Sequence, residues 1–533
     1  MPKTHVAVAG SERKPLPGAV ATGRANANAT IEVSLKLRRK QALPALTRRP
    51  DTAMTRAQFR DTYGAAQADV DQTAQVLAGF GITLVRTSLA ARTMRVRGTV
   101  SAMEAAFQVK LFNYSHTGGN YRGRVGAVHI PVPLQDIVQG VFGLDNRRVA
   151  RRRRQPVRDD PSASSPVPST WYLPSELASH YNFPAGDGTG QTVGLLEFGG
   201  GYFPSDLRQF CQLAKIATPP NVTVVSTDGT PTNSKDGAEG EVMLDVEVVA
   251  GVCPGANIVV YFASWSEQGW ITILDAATQD ETNNPGVISI SWGNAEDADI
   301  WTAQAMKQID QTLQDAAMLG ITVCVAAGDD GSSDAIADGQ AHVDFPSSSP
   351  HALAVGGTTI PAKGSQPPDI VWLEGDGLRA DNGGSTGGGV SVVFPLPAWQ
   401  SAINIPSVNP GAIVGRCIPD LAANADWNAS PYLLVVDGQA QPNGGTSAAS
   451  PLVASLLTLI NASRPSGKRV GYITPVLYQA SGNSTVGAVG CTDVTSGNNN
   501  TDSIGGYSAG AGYDAVSGWG TPNGVNLAAA IPP

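Results

Sequence analysis

Apolar and polar positions along the chain change their period twice. Near the start IEVSLKLRR alternates residue by residue, as a half-buried strand does, and residues 65–80 switch to the three-to-four spacing of an amphipathic helix. ITLVRT, TMRVRGTV, SAMEAAFQ and VKLFNY then read as strand, strand, helix and strand. That order predicts a small βαββαβ unit, a ferredoxin-like α+β body. After a Pro/Ser-rich stretch the texture changes. TVGLLEFGGG, ANIVVYFA, GVISISWG, ITVCVAAGDDGSS and HALAVGGT are short runs apolar on both faces, ending in glycine and separated by helical stretches such as 303–319. They predict an α/β body, a buried parallel sheet with helices on both faces. In such sheets function gathers at the carboxyl ends of the strands, where Glu197, Trp292 and Asp329 stand. A last zone, 486–524, is rich in Gly, Asn and Asp and reads as irregular loop.

The two patterned regions carry opposite charge. The 533 residues have a net charge of −9, but residues 1–160 hold 26 Lys and Arg against 11 Asp and Glu, a balance of +15. Residues 161–533 hold 10 against 34, a balance of −24. A basic arm for nucleic acid is one meaning of such asymmetry. Here the basic residues are dispersed through a patterned globular segment, which points instead to a basic body seated on an acidic one, with no nucleic acid as partner. The junction is QPVRDDPSASSPVPST, which follows the arginine run 151–154 and has no apolar periodicity. The expected organisation is therefore a body at 1–154, an exposed, protease-accessible linker at 155–170 and a second body at 171–533.

Composition narrows the class further. Charged residues are 15% of the chain and hydrophobic ones 42%, a globular composition with fewer charges than the roughly 25% of average proteins. No apolar run reaches the ~18 residues of a membrane helix. The first residues offer only VAVAG as an apolar stretch, short of the about 7 to 15 that a secretory signal needs. Cys211, Cys253, Cys324, Cys417 and Cys491 show no CxxC spacing and read mostly as small buried hydrophobes.

The strongest local chemistry is GGTSAASPLVASLLTLINAS. Two glycines and a threonine precede Ser447, Pro451 follows in the first turn, and an apolar helix runs on, which places Ser447 at a helix N-terminus that favours a developing anion. Capping of the helix by Thr446 or Ser447 is the plain alternative. A nucleophilic serine needs a base, usually histidine. The acidic body contains only His180, His342 and His351, none in an HGTH setting. DGAEGEVMLDVEVVAGVCPGA supplies another base: Glu241 and Asp245 are four residues apart, about 6 Å along one face of a helix, near enough to share a proton. That helix is apolar almost all round, and buried carboxylates are rare without a purpose. Glu247 lies about 200° round from Asp245 and reads as structural. A carboxylate base, ordinarily titrating near ~4.3, implies an acid enzyme. Asp329 ends ITVCVAAGD and, protonated, could donate a hydrogen bond to an oxyanion; Asp330 beside it is a rival for that role, and a turn or cap is the plain alternative. Asp493 and Asp514 flank glycine-rich backbone whose carbonyls suit Ca²⁺, against a simpler reading as Asx turns.

In this order, and after a basic N-terminal body, LLEFGGGY, EVMLDVEV, SISWG, VAAGD, GGTSAASP, TDVTSGNN and AGAGYD resemble the sedolisin family of serine-carboxyl peptidases, most of all its kumamolisin branch. The resemblance spans essentially the whole chain, and the pairing of EVxLD with GGTSxxxP is highly specific. It implies a subtilisin-like fold, a cleaved propeptide and an acidic optimum. It implies Ser447 as nucleophile, Glu241 as general base, Asp245 as the carboxylate that orients it and shares its proton, and Asp329 rather than Asp330 as the oxyanion-hole carboxyl. Glu197 and Trp292 match residues that extend the network from the base. The family's calcium site falls on the Asp493 and Asp514 side chains and the Val494, Gly510 and Gly512 carbonyls. Asp330 departs from the family pattern of a small polar residue, and a second carboxylate there would raise its neighbour's pKa by like-charge coupling.

The expectation is an acid-acting, calcium-stabilised endopeptidase of protein and peptide substrates, secreted and monomeric, made as a proenzyme. Its N-terminal body would block the enzyme until acidification loosens the charge attraction and the linker is cut between about residues 155 and 170. A pseudo-peptidase that binds partners through its acidic surface and a histidine-dependent subtilisin with a near-neutral optimum are the competing readings.

Overall fold

The computed structural model describes residues 4–149, 151–152, 168–374, 384–465, 467–501 and 504–533. The expected activation linker, 155–170, lies mostly outside the described residues.

The N-terminal body is built on a four-stranded antiparallel sheet in the order Thr83–Ser88, Thr93–Thr99, Thr30–Leu37, Val138–Phe142. Alternation in Thr30–Leu37 sorts its side chains as expected. Val33, Leu35 and Leu37 pack with Val70 and Leu77 of the helix Gln67–Ala78 and with Met103 and Phe107 of the helix Val100–Phe107. The topology is ferredoxin-like, but its fourth strand is not VKLFNY. Phe112–Ser115 pairs instead with Val20–Arg24 and Tyr121–Gly123 in a separate three-stranded sheet. Burial decides between the two segments: only Tyr114 of Phe112–Ser115 is buried, against every residue but Gln139 of Val138–Phe142.

The larger body has a central sheet in the order Asn221–Ser226, Asn257–Ala263, Thr192–Phe198, Val287–Ile290, Thr322–Ala326, Leu353–Thr359, with Leu421–Asn424 beside the last. All of these neighbours are parallel, and Ile370–Val371 adds a short antiparallel edge. Helices cover both faces. Glu239–Val252 and Thr446–Ser463 share one apolar cluster with Val193 and Leu195, while Glu267–Thr278 and Ala303–Met318 share the other with Leu196 and Phe198. The zone at 486–524 is less irregular than expected, since it opens with a short helix, Val486–Gly490, and Cys491–Thr492 pairs with Thr521–Pro522.

The two bodies meet through the polar face of the small sheet. Ser34 and Lys36 alternate with the core positions and point to the helices Glu267–Thr278 and Ala303–Met318. Gln268 Nε2 donates to Ser34 Oγ at 3.0 Å, Lys36 Nζ reaches both Asp275 oxygens at 2.7 and 2.9 Å, and Arg39 meets Asp315 at 2.5 Å. Arg13 pairs with Glu267 at 2.9 Å. Basic side chains of one body thus sit on carboxylates of the other. Lys36 is fully buried, and burial pulls its ammonium down to about 8 against the raising influence of Asp275. A pair this dry offsets most of its own desolvation cost and little more. Lys36→Met alone, which strands Asp275, is expected to cost about 3–5 kcal/mol in denaturant unfolding, while Lys36→Met with Asp275→Leu stays close to the parent. Equal losses in both variants would contradict this reading of the contact.

Candidate active site

The helix Glu239–Val252 is buried from Gly240 to Val252, and this brings Glu241, Asp245 and Glu247 into the interior. Asp245 faces the carboxyl ends of two strands. Ser291 Oγ, one residue past Val287–Ile290, donates to Asp245 with its oxygens 2.8 and 2.9 Å away. Glu197 projects from Thr192–Phe198 on the same sheet face as Val193 and Leu195, so it also meets the helix. Trp292 Nε1 donates to Glu197 Oε2 at 3.0 Å, and Glu197 and Asp245 stand within electrostatic reach of each other. Burial pushes Glu197 well above the ordinary carboxylate range, and the charge of Glu241 adds to it. Burial also raises Asp245, followed by the charges of Glu197 and Glu241. Three carboxyl groups therefore stand within mutual electrostatic reach, and two hold their protons unusually tightly. Glu247 points away, as expected, and accepts from Val435 N at 2.7 Å.

Ser447 is the second residue of the helix Thr446–Ser463. The glycines before it are needed by the backbone: Gly445 has φ +87°, and a Cβ on Gly444 would lie 2.4 Å from the Ala425 carbonyl oxygen. Pro451 sits in the second turn, not the first, and it cannot donate to the Ser447 carbonyl four residues back. Ser291 Oγ also lies 3.2 Å from that carbonyl, though its single proton is directed to the nearer Asp245 oxygens. The Ser447 hydroxyl in turn donates to the Ser291 carbonyl at 3.4 Å. Thr446 anchors the neighbouring acid, since its N–H and Oγ1 donate to Asp329 Oδ1 at 2.8 and 2.6 Å. Asp329 and Ser447 are both fully buried. Asp330 faces elsewhere and pairs with Arg151 at 2.9 Å, so in this structure a cation stands beside the extra carboxylate.

Each histidine of the larger body is bound to a carboxylate. His180 meets Asp369 at 2.9 Å, His342 meets Asp297 at 2.8 Å, and His351 meets Asp310 at 2.8 Å. Among the described residues no histidine hydrogen-bonds Ser447. The five cysteines are free, and four of them, Cys211, Cys253, Cys324 and Cys417, are buried.

Asp493 and Asp514 lie together across the Gly510–Gly512 turn. Gly512 N donates to Asp493 Oδ2 at 2.8 Å and Gly510 N to Asp514 Oδ2 at 3.0 Å. Asp493 Oδ1 is buried without a hydrogen-bond partner, and among the described residues no N–H donates to the carbonyls of Val494, Gly510 or Gly512. Burial raises Asp514 above the usual carboxylate range. An orphaned carboxylate oxygen with three bare carbonyls nearby in sequence is a donor set that fits a hard cation.

Ser291, which motif reading passed over, and Thr446, which it read only as a helix cap, hydrogen-bond the acids Asp245 and Asp329. Their signal lay in SISWG and GGTS: short hydroxyls beside a strand end and a helix start, where hydrogen bonds have to be closed.

Protonated carboxyls leave a thermodynamic trace. Glu197 and Asp245 keep their protons when folded to a higher pH than when unfolded, so folding takes up protons once the pH passes about 4, where the free side chains ionise. Glu296, raised by burial to about 7, acts in the same direction. The contribution of these groups to stability is greatest at acid pH and falls as pH rises, by about 1.4 kcal/mol per pH unit for each retained proton. In a Ser447→Ala chain, Glu197→Gln with Asp245→Asn is expected to flatten this fall between about pH 5 and 7, read from urea midpoints. An unchanged slope would mean that these groups ionise normally.

Residues 17–147 match the pro-kumamolisin activation domain, and residues 226–514 match the subtilase family. Kumamolisin of Bacillus sp. (strain MN-32) is 40% identical over 99% of this chain and 96% of its own. Sedolisin of Pseudomonas sp. (strain 101) is 30% identical over 95% of this chain and 88% of its own. The solved structure of Pseudomonas sedolisin, a serine-carboxyl proteinase complexed with two molecules of pseudo-iodotyrostatin, superposes with a TM-score of 0.58 at 30% identity, covering 68% of this chain and 97% of that one. This chain belongs to the sedolisin family of serine-carboxyl peptidases, within the subtilases and on their kumamolisin side.

Proposed function

We propose that this peptidase works at acid pH through Ser447, with Glu241 as its general base, and that it is a calcium-stabilised, secreted monomer. The observation that carries the reading is a buried serine beside a cluster of buried carboxylates, of which Asp245 and Glu197 hold protons. Glu241, ionised, takes the proton of the Ser447 hydroxyl as Oγ bonds to the scissile carbonyl carbon. The same proton passes to the departing amine as the C–N bond breaks. Water then attacks the acyl carbon as Glu241 accepts its proton, and Glu241 returns that proton to Ser447 Oγ as the ester C–O bond breaks, which frees the acid product and restores the serine. Asp245 and Glu197, both held protonated by burial, stand behind Glu241 and keep negative charge from accumulating there, with Trp292 holding Glu197 in place. Asp329, whose Oδ1 accepts two hydrogen bonds from Thr446, donates a hydrogen bond to the oxyanion in its protonated form. A carboxylate base works best near its own pKa, which is the reason for an acid optimum.

The N-terminal body serves as the intramolecular inhibitor. It clamps the helices on the far sheet face, and its continuation Arg151–Arg152 pairs antiparallel with Trp292–Ala295, beside the base cluster. Ca²⁺ would be held by Asp493, Asp514 and the carbonyls of Val494, Gly510 and Gly512, where it would tie the C-terminal loops together and supply no chemistry to the reaction.

Two outcomes test this. On transfer from about pH 7 to about pH 4 the parent is expected to cut itself between its two bodies, and Ser447→Ala to remain intact. Self-cleavage of Ser447→Ala at the parental rate would remove Ser447 from its role. Asp493→Ala, or chelation of the parent, is expected to lower the melting temperature by several degrees while leaving the initial rate per folded molecule within about twofold. Equal melting temperatures with and without chelator would remove the calcium claim.

A further inference from the structure

The segment that continues the N-terminal body toward the active site is held as a peptide strand. Val149 N–H donates to the Trp265 carbonyl at 2.8 Å, Asn294 Nδ2 donates to the Val149 carbonyl at 3.3 Å, and Arg151 and Arg152 stand opposite Gly293 and Trp292. The register runs toward Ser291, whose carbonyl receives the Ser447 hydroxyl. A substrate strand in the same register reaches Ser291 one residue after the place of Arg152. If the residue opposite Ser291 presents the scissile carbonyl to Ser447, the place of Arg151 is the third residue on the amino side of the cut.

The side chain at that place meets a built site. Arg151 Nη2 lies 2.9 Å from Asp330 Oδ2 and 2.9 Å from Asp334 Oδ1, and it also donates to the Asp334 carbonyl at 3.2 Å. The two carboxylates are only 3% and 4% exposed, whereas the arginine is 32% exposed, so the acids are fixed in the larger body and the cation is the visitor. Their loop is pinned from beneath: Thr501 Oγ1 donates to the Asp330 carbonyl at 3.1 Å, and Asp334 is held in a left-handed conformation, φ +42°. Charge-assisted hydrogen bonds from a fixed, largely desolvated acid pair discriminate strongly between a guanidinium and a neutral side chain.

We infer that Asp330 and Asp334 form a specificity subsite of the mature enzyme that selects an arginine-type side chain three residues before the cleaved bond, and that Arg151 of the prosegment fills this subsite in the precursor. The inference rests on the peptidase reading above. It makes Arg151, the first of the arginine run 151–154, both a plug and a copy of a preferred substrate.

The test uses the full chain after it has matured in acid, with peptides of one sequence carrying arginine or its neutral isostere citrulline at that place. At about pH 5, above the ordinary carboxylate range, kcat/KM for the arginine peptide is expected to exceed that for the citrulline peptide by about 30-fold. Asp330→Asn with Asp334→Asn is expected to bring the ratio of the two kcat/KM values close to unity. A parental ratio near unity overturns the subsite without needing the variant to fold, and so does a ratio that survives in the double variant. Cleavage of the citrulline peptide reports separately on the peptidase: if neither peptide nor denatured protein is cut, the peptidase reading falls and the subsite with it.

Discussion

Carboxyl groups enclosed in apolar packing resist ionisation, and the helix Glu239–Val252 encloses Glu241 and Asp245 while the sheet brings Glu197 up to them. The surrounding architecture serves that enclosure. The serine helix shares an apolar cluster with the carboxylate helix, so the nucleophile and the acids are positioned by the same packed layer. Ser291 links the two helices through Asp245 and the Ser447 carbonyl, the group that Pro451 leaves without its helical N–H.

The same electrostatic logic recurs, with the sign reversed, where the two bodies meet. There the carboxylates Asp275, Asp315 and Glu267 are partnered by Lys36, Arg39 and Arg13, and the contact is made by the polar face of a strand whose other face builds a core. In the active site, carboxylates face one another and hold protons; at the interface they face cations. Arg151 carries the second arrangement to the edge of the first, because Asp330 and Asp334 lie directly after Asp329 along the chain and meet a guanidinium there.

Much of this was legible in the residues. The parallel strands declared themselves as apolar runs ending in glycine, and the carboxylate helix as a stretch apolar almost all round with acids four residues apart. The alternation of Thr30–Leu37 separated the face that forms the core from the face that meets the enzyme. What stayed hidden depends on tertiary choice. Phe112–Ser115 and Val138–Phe142 are both short and β-prone, and only the burial available beside Thr30–Leu37 assigns the fourth strand to the second. Pro451 falls a turn later than its spacing suggested because the helix begins at Thr446, directly after the left-handed glycine. The pairing of Arg151 with Asp330 and Asp334 joins residues about 180 positions apart, beyond the reach of any local pattern.

The central claim is that acids beside Ser447 hold their protons because they are buried. Infrared difference spectroscopy tests it most directly, by comparing the protonated-carboxyl C=O band of the folded chain with that of Asp245→Asn as the pH is raised. The account predicts that a band assignable to Asp245 persists after the exposed carboxylates have ionised. Loss of that band near about pH 4, in step with exposed carboxylates, would contradict it.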